Sequence, residues 1–263
     1  MARAIYGGLL DNGFTVTNLS VVDPSAAAQD NARQAGIEQV FDSAPDEVLL
    51  ADLIVLAIKP QITKAALQPL AGRLGTHSLV LSIVAGINAE SLATLLGLSD
   101  AGGIIRCMPN TPALVGEGMT GLYANTEAGS TESKALAERV MSSVGQCVWV
   151  ESESDLDVIT AISGSGPAYF FLFIESLTDA AIALGMNSES ARKLALQTAL
   201  GASRLASLSS EDAATLRKNV TSPGGTTEQA IQAFEASDLR GIVARATQAA
   251  ARRSVELSQE FGV

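Results

Sequence analysis

A chain of 263 residues with 47% hydrophobic and 17% charged residues has enough apolar material for one large core or two smaller ones, which excludes an intrinsically disordered protein. Seventeen lysines and arginines against 28 aspartates and glutamates leave a net charge of -11, which repels phosphate backbones and anionic lipid, so no nucleic acid and no membrane partner is expected. Cys107 and Cys147 are far apart without C-x-x-C spacing, and the one histidine, His77, has no cluster around it, so no metal site is expected.

The chain opens on MARAIYGGLLDNGF, in which Ala2, Ile5, Tyr6, Leu9 and Leu10 recur at helical spacing. They predict an apolar helical face that Asn12-Gly13 terminates and that no residue caps from upstream. TVTNLSVV (15–22) predicts a strand, SAAAQDNARQAG (25–36) a capped helix closed by glycine, and LIVLAI (53–58) a fully buried strand. LVLSIV (79–84), GIIRC (103–107) and QCVWV (146–150) repeat the strand pattern, with helices predicted over 61–73, 89–96 and 131–143. The alternation predicts a parallel sheet covered on both faces.

Beyond Val150 the strand signals stop, and 153–162, 167–185, 188–207, 210–219, 226–236 and 238–260 all read as helices. The predicted fold is therefore an α/β domain, residues 1–150, followed by an all-α domain, residues 151–263. His77 follows Gly75-Thr76 and reads as an exposed turn residue, which leaves general-base catalysis by histidine without a candidate. No stretch reaches the ~20 uninterrupted apolar residues of a membrane span, and the N-terminus lacks the regions of a signal peptide, so a cytoplasmic location is expected.

Open parallel sheets bind ligands beyond the carboxyl ends of their strands. The residues there are Asp23-Pro24-Ser25, Lys59-Pro60, Ala85-Gly86 and Met108-Pro109-Asn110-Thr111-Pro112. Asp23 occupies the place where a dinucleotide fold sets a carboxylate on ribose hydroxyls, although an aspartate that merely begins a turn fits the same spot. In KNVTSPGGTTEQAI (218–231), Pro223-Gly224-Gly225 reads as a turn, with Thr226 and Gln229 matching a capping box that opens a helix. Two glycines before a helix N-terminus let an anion meet unpaired amides and the positive end of the dipole. ISGSGPAYFF (162–171) is a second glycine-rich helix entry, with Pro167 in the first turn.

Taken together, AIKP (57–60), RCMPNTPALVGEGMT (106–120), ISGSGPAYFFLFIE (162–175) and LRKNVTSPGGTTEQAIQAF (216–234) resemble the Δ1-pyrroline-5-carboxylate reductase family along the whole chain. The resemblance implies a Rossmann-like sheet domain followed by a helical dimerisation domain, and reduction of L-1-pyrroline-5-carboxylate to L-proline with NADPH or NADH. It implies that Ala57, Ile58, Lys59 and Pro60 line the nicotinamide end of the cofactor, that Ala85 and Asn219 touch the cofactor, and that Glu153 lies on the substrate side. Thr226 and Thr227 match the positions that hold the substrate. From these matches and the helix N-terminus, the amides of Gly225 and Thr226 are expected to bind the substrate carboxylate, and the Thr227 hydroxyl the ring nitrogen, with Glu153 as a second catalytic group. A homodimer or larger homo-oligomer is implied, the cofactor of one subunit facing the substrate loop of the other.

The chain departs from the family pattern at its start. Family members begin with a strand and a G-x-G-N-M turn, whereas MARAIYGGLL corresponds to the end of that pattern, so the first strand and the phosphate-facing glycines are absent from this sequence. The expectation is weak cofactor binding and little activity for the chain alone, with a truncated, noncatalytic product as the alternative reading. A 3-hydroxy-acid dehydrogenase is disfavoured because GSGPAYFF lacks the catalytic lysine of that class.

Overall fold

The computed structural model describes residues 1–98 and 103–262. It divides into two compact units, Met1–Ser165 with Ala250–Val263, and Gly166–Ala249.

In the first unit, α1 (Ala2–Asp11) ends as predicted, with Asn12 as C-cap and Gly13 at φ +80. A short 3-10 turn at Val16–Asn18 precedes β1 (Ser20–Val22), so the expected strand over 15–22 shrinks to its last residues. Then follow α2 (Ala26–Gln34), β2 (Gln39–Phe41), α3 (Asp46–Leu49), β3 (Leu53–Leu56), α4 (Pro60–Leu67), β4 (Leu79–Ser82), α5 (Ala89–Leu96) and β5 (Ile104–Met108). The unit continues through β6 (Gly118–Ala124), α6 (Thr131–Met141), β7 (Gly145–Trp149) and α7 (Asp155–Ile159), which runs into a π-turn over Thr160–Gly164.

β1 and β2 form a parallel pair of their own, and β3-β4-β5-β6-β7 form a five-stranded sheet. The expected parallel sheet is corrected at its last two strands: β6 pairs antiparallel with β5, and β7, parallel to β6, runs with it against the direction of β3, β4 and β5. Its sequence, GMTGLYA, shows no clean alternation because glycines stand where neighbours press in. A side chain at Gly121 would come within 2.7 Å of Ile159, and one at Gly118 within 2.7 Å of the Val144 carbonyl.

Side-chain alternation sorts the central strands onto two cores. Leu79, Leu81, Ile105 and Cys107 join Ile5, Leu9, Leu122 and Met141 on one face. Val80 and Ile104 join Leu56, Leu67, Leu92 and Leu96 on the other. Burial pushes the Cys107 thiol well up from its ordinary value.

Two adjacent helix glycines give opposite expectations. Gly7 has open space where a Cβ would stand, so Gly7→Ala is expected to stabilise by about 0.5–1 kcal/mol through helix propensity. At Gly8 a Cβ would come within 2.6 Å of both the Ser143 carbonyl oxygen and a Val144 methyl, so Gly8→Ala is expected to destabilise by roughly 1–3 kcal/mol. Urea midpoints of the two variants check the signs.

The compact units do not follow the expected division between residues 150 and 151. α7, the π-turn and the end of α12 (Leu239–Phe261) pack with the sheet: Ile159 lies on Gly121, Ser254 Oγ donates to Asp157 Oδ1 at 2.6 Å, and Phe261 packs into the second core.

The second unit is entirely helical: α8 (Gly166–Ala183), α9 (Ser188–Leu208), α10 (Ala213–Asn219), α11 (Thr226–Ala236) and the first part of α12 (Leu239–Phe261). Phe173 and Phe234 pack with their rings tilted by 44° and their centroids 6.2 Å apart. Much apolar surface stays uncovered, including Phe170, Phe171, Leu172, Leu200 and Ile242. Asp155–Ala183 form one helical stretch long and apolar enough to cross a membrane by length and composition alone, although Glu175 and Asp179 interrupt its apolar run.

Candidate functional site

In the first unit β3 and β4 are parallel and in register, Leu56 opposite Ser82, so the residues after them leave the sheet at the same edge. Ala57 and Ile58 are half-buried; Lys59 is exposed and is the N-cap of α4, with Pro60 at its first position, where the missing N–H costs little. The Lys59 carbonyl accepts from Ile62 N and Thr63 Oγ1, which fixes the turn and leaves the ammonium to solvent. Ala85 is half-buried and is followed by Gly86, whose φ of +72 turns the chain into α5. A side chain at Gly86 would also press within 3.3 Å of the Leu257 backbone.

Asp23 follows β1. Its amide extends the β1–β2 pairing to Phe41 O, Oδ1 accepts from Ser25 N at 2.8 Å, and its carbonyl accepts from the Gln29 amide. The turn reading of this aspartate is therefore realised, yet it occupies one oxygen only, and the other has no partner among the described residues. A carboxylate fixed at a strand end with one free oxygen fits a ribose diol.

Glu153, expected on the substrate side, is held through one carboxylate oxygen. Its Oε1 accepts from Ala89 N at 2.7 Å and from Arg106 Nη1 at 2.9 Å, so its charge is paired inside the first unit. The Met108-Pro109-Asn110 stretch is organised by Asn110, which is buried, donates to Ser163 O of the π-turn and accepts from Met119 N of β6. π-Turns inside helices concentrate at functional sites.

In the second unit the 218–231 segment forms a turn running into α11. Gly224 takes φ +73, and Gly225 is the N-cap, where a Cβ would stand 3.0 Å from Ser222 O. Two expectations are corrected here. The capping box is not formed by Thr226 and Gln229: Thr226 is already the first helical residue, and Glu228 instead reaches back to accept from Gly224 N at 2.8 Å. The Gly225 amide donates to Ser222 O, so it is not a free donor for a carboxylate.

What remains open is the first turn itself. The amides of Thr226, Thr227 and Glu228 and the hydroxyls of both threonines have no partner among the described residues. The Glu228 carboxylate lies beside this helix start but takes the Gly224 amide, one residue before the N-cap, and leaves the first-turn amides open. Asn219, at the end of α10, donates from its side chain to Glu211 Oε2 at 2.9 Å. Asn110 lies in the strand-end stretch 108–112 named above, whereas Glu211, Glu228 and Arg106 have no expected role of their own, and among these three only Arg106, a charge inside an apolar strand, carries a local signal. Two clefts of about 530 and 440 Å³ are lined by other residues, the larger by Asn12, Glu117 and Gln146 among others, the smaller by Thr215, Lys218 and Ile231 among others.

Residues 153–257 match the family model for pyrroline-5-carboxylate reductase dimerisation, and residues 1–86 that for the coenzyme F420-dependent NADP oxidoreductases. A pyrroline-5-carboxylate reductase of Pseudomonas aeruginosa is 43% identical over 264 residues, covering 100% of this chain and 95% of that protein. One from Vibrio alginolyticus is 41% identical, covering 99% of this chain and 95% of its own. Among solved structures, a pyrroline-5-carboxylate reductase from Coxiella burnetii superposes with a TM-score of 0.90 at 40% identity, covering 98% of this chain and 94% of the other. The Plasmodium falciparum pyrroline carboxylate reductase with NADP bound gives 0.83 at 31% identity, covering 97% and 93%.

Proposed function

The chain belongs to the pyrroline-5-carboxylate reductase family, and from that premise we propose how its residues divide the work. The protein is an oxidoreductase that reduces L-1-pyrroline-5-carboxylate to L-proline with NAD(P)H, the last step of proline biosynthesis. The observation that carries the site assignment is the open first turn of α11, two unpaired threonine hydroxyls and a run of free amides behind Gly224-Gly225.

The substrate carboxylate sits on the amides of Thr226 and Thr227, where the helix dipole adds to the hydrogen bonds. Gly225 contributes by its missing side chain, which lets the anion approach. The Thr227 hydroxyl holds the ring nitrogen and so sets which face and which carbon of the imine is presented. Asp23 would hold the adenosine ribose; Ala57, Ile58, Lys59, Pro60 and Ala85 would border the nicotinamide; and Asn219, oriented by Glu211, would be a further cofactor contact. Ala57 and Ala85 fit a flat ring because their methyl side chains leave room beside it. When bound, the reduced nicotinamide supplies hydride to the imine carbon. The nitrogen takes its proton from water, so the chain needs to orient the ring rather than supply a strong acid. Glu153 serves as a positioning residue, its charge being held by Arg106.

The assembly is a homodimer or larger homo-oligomer through the helical unit, whose uncovered apolar surface is what such an interface buries. A cytoplasmic location and the absence of nucleic-acid and membrane partners complete the reading. The direct test supplies the purified chain with L-1-pyrroline-5-carboxylate and NADPH: proline, identified by mass, must appear in step with NADPH oxidation, and oxidation without proline rejects the assignment.

Cofactor choice tests Asp23. A carboxylate on the ribose repels a 2′-phosphate, so Asp23→Ser is expected to shift the ratio of kcat/KM values toward NADPH by roughly tenfold. An unchanged ratio would show that Asp23 faces away from the ribose.

A further inference from the structure

We propose that Arg106 is a positioning residue for the nicotinamide-facing loop 83–88, acting through Glu153 on the first amide of α5. The proposal rests on the reading above that Ala85 borders the cofactor.

Arg106 lies in the middle of β5 on the face built from Leu56, Val80 and Ile104, and only 7% of it is exposed. Across the sheet it stands in the row Leu56, Ser82, Arg106, Tyr123. The next residues along β3 and β4 are Ala57 and Ile83, where the chain leaves the sheet toward the proposed cofactor contacts. The guanidinium therefore lies one row beneath the site.

Stability does not explain its presence. Desolvating a charge offsets most of what a buried ion pair returns, and apolar residues of similar size commonly serve as well. The pair is also not built for maximum strength: Nη1 alone meets Glu153, and the buried Nε has no hydrogen-bond partner. What the pair achieves is placement. Glu153 Oε1 receives Arg106 and the Ala89 amide together, joining β5, the loop two residues before α7 and the first residue of α5. α5 already has its own cap, since Asn88 Oδ1 accepts from Ser91 N. The second cap, brought from 64 residues away, is not needed for the helix to form; it fixes where the helix begins relative to β5. Ala85 lies four residues before that pinned amide, so its position against the cofactor inherits the constraint.

The test compares R106K, R106M, E153Q and the R106M/E153Q double variant in the full chain, with A85L as a reference. NADPH affinity is measured by calorimetry, kcat and KM by steady-state assay, and exchange of the Ala89 amide by NMR. R106M and E153Q are each expected to raise the NADPH Kd about tenfold while kcat at saturation falls less than about threefold, and the double variant is expected to be no worse than either. Ala89 exchange should quicken in each, and R106K should retain part of the affinity. If R106M does not fold, R106K and E153Q decide. A lowered Tm with NADPH Kd unchanged in all of them overturns the proposal, leaving Arg106 a merely structural residue; additive losses in the double variant overturn its action through Glu153. If A85L binds NADPH normally, the placement of Ala85 itself is wrong. If A85L binds weakly and the Arg106 and Glu153 variants bind normally, that placement stands and only the present inference falls.

Discussion

Thr227→Ala is expected to lower kcat/KM for L-1-pyrroline-5-carboxylate roughly 10²-fold, the usual scale for losing one well-placed donor to a reacting group, while leaving the affinity for NADPH within about twofold. Thr227 is half-buried in the first turn of α11, and its hydroxyl has no protein partner to fall back on. The backbone amide survives the substitution, so carboxylate binding persists and the loss falls on the orientation of the ring nitrogen, in kcat more than in KM. Thr227→Ser keeps the hydroxyl and should retain most of the activity. The neighbouring position separates the two kinds of donor: Thr226→Ala keeps the amide and should change little, whereas Thr226→Pro removes it. Proline suits the first helical position, and Gly225 at φ -83, ψ 172 already has the extended backbone that a residue before proline requires. Thr226→Pro should therefore raise KM with α11 intact by circular dichroism. Full activity of Thr227→Ala would remove the Thr227 hydroxyl from the site.

The strand ends were legible because each runs into residues with marked local chemistry: Asp-Pro after β1, Lys-Pro after β3, and Ala-Gly after β4. β6 was not, because Gly118 and Gly121 answer to packing partners distant in sequence, Val144 and Ile159, and interrupt the pattern a strand is read by. β2 and α3, three and four residues long, are too short for periodicity to register. At the glycine turn the sequence marks the start of a helix but not which amides stay unpaired, since that depends on Ser222 O taking the amide of Gly225, the N-cap. Glu153 shows the opposite limit. Its company, Ala89 and Arg106, is assembled from two other elements, and no spacing rule relates the three.

Phe171→Asp is expected to raise the dissociation constant of the assembled protein roughly 10²-fold, in the range of a buried aromatic anchor, and Leu200→Asp to act in the same direction. In the single chain, Phe171 is 64% exposed on α8, flanked by Phe170 and Leu172, and Leu200 is 61% exposed on α9. Isolated apolar side chains on a surface need no partner, but a contiguous run of this size on a soluble monomer invites aggregation unless something covers it. The match of residues 153–257 to a dimerisation family points to a second copy of the same surface. A two-fold interface brings each patch against its own image, so a single aspartate introduces two buried charges per dimer with no counter-ion between them. Neither side chain belongs to either buried core, so the monomer fold should survive, and far-ultraviolet dichroism should be unchanged while sedimentation reports the smaller species. Because the stretch from Asp155 to Ala183 is also apolar enough to enter lipid, sedimentation with and without neutral phosphatidylcholine vesicles separates the two coverings. Native protein that floats with the vesicles, and an aspartate variant that leaves the oligomer unaltered, would together assign this face to lipid and overturn its role in assembly.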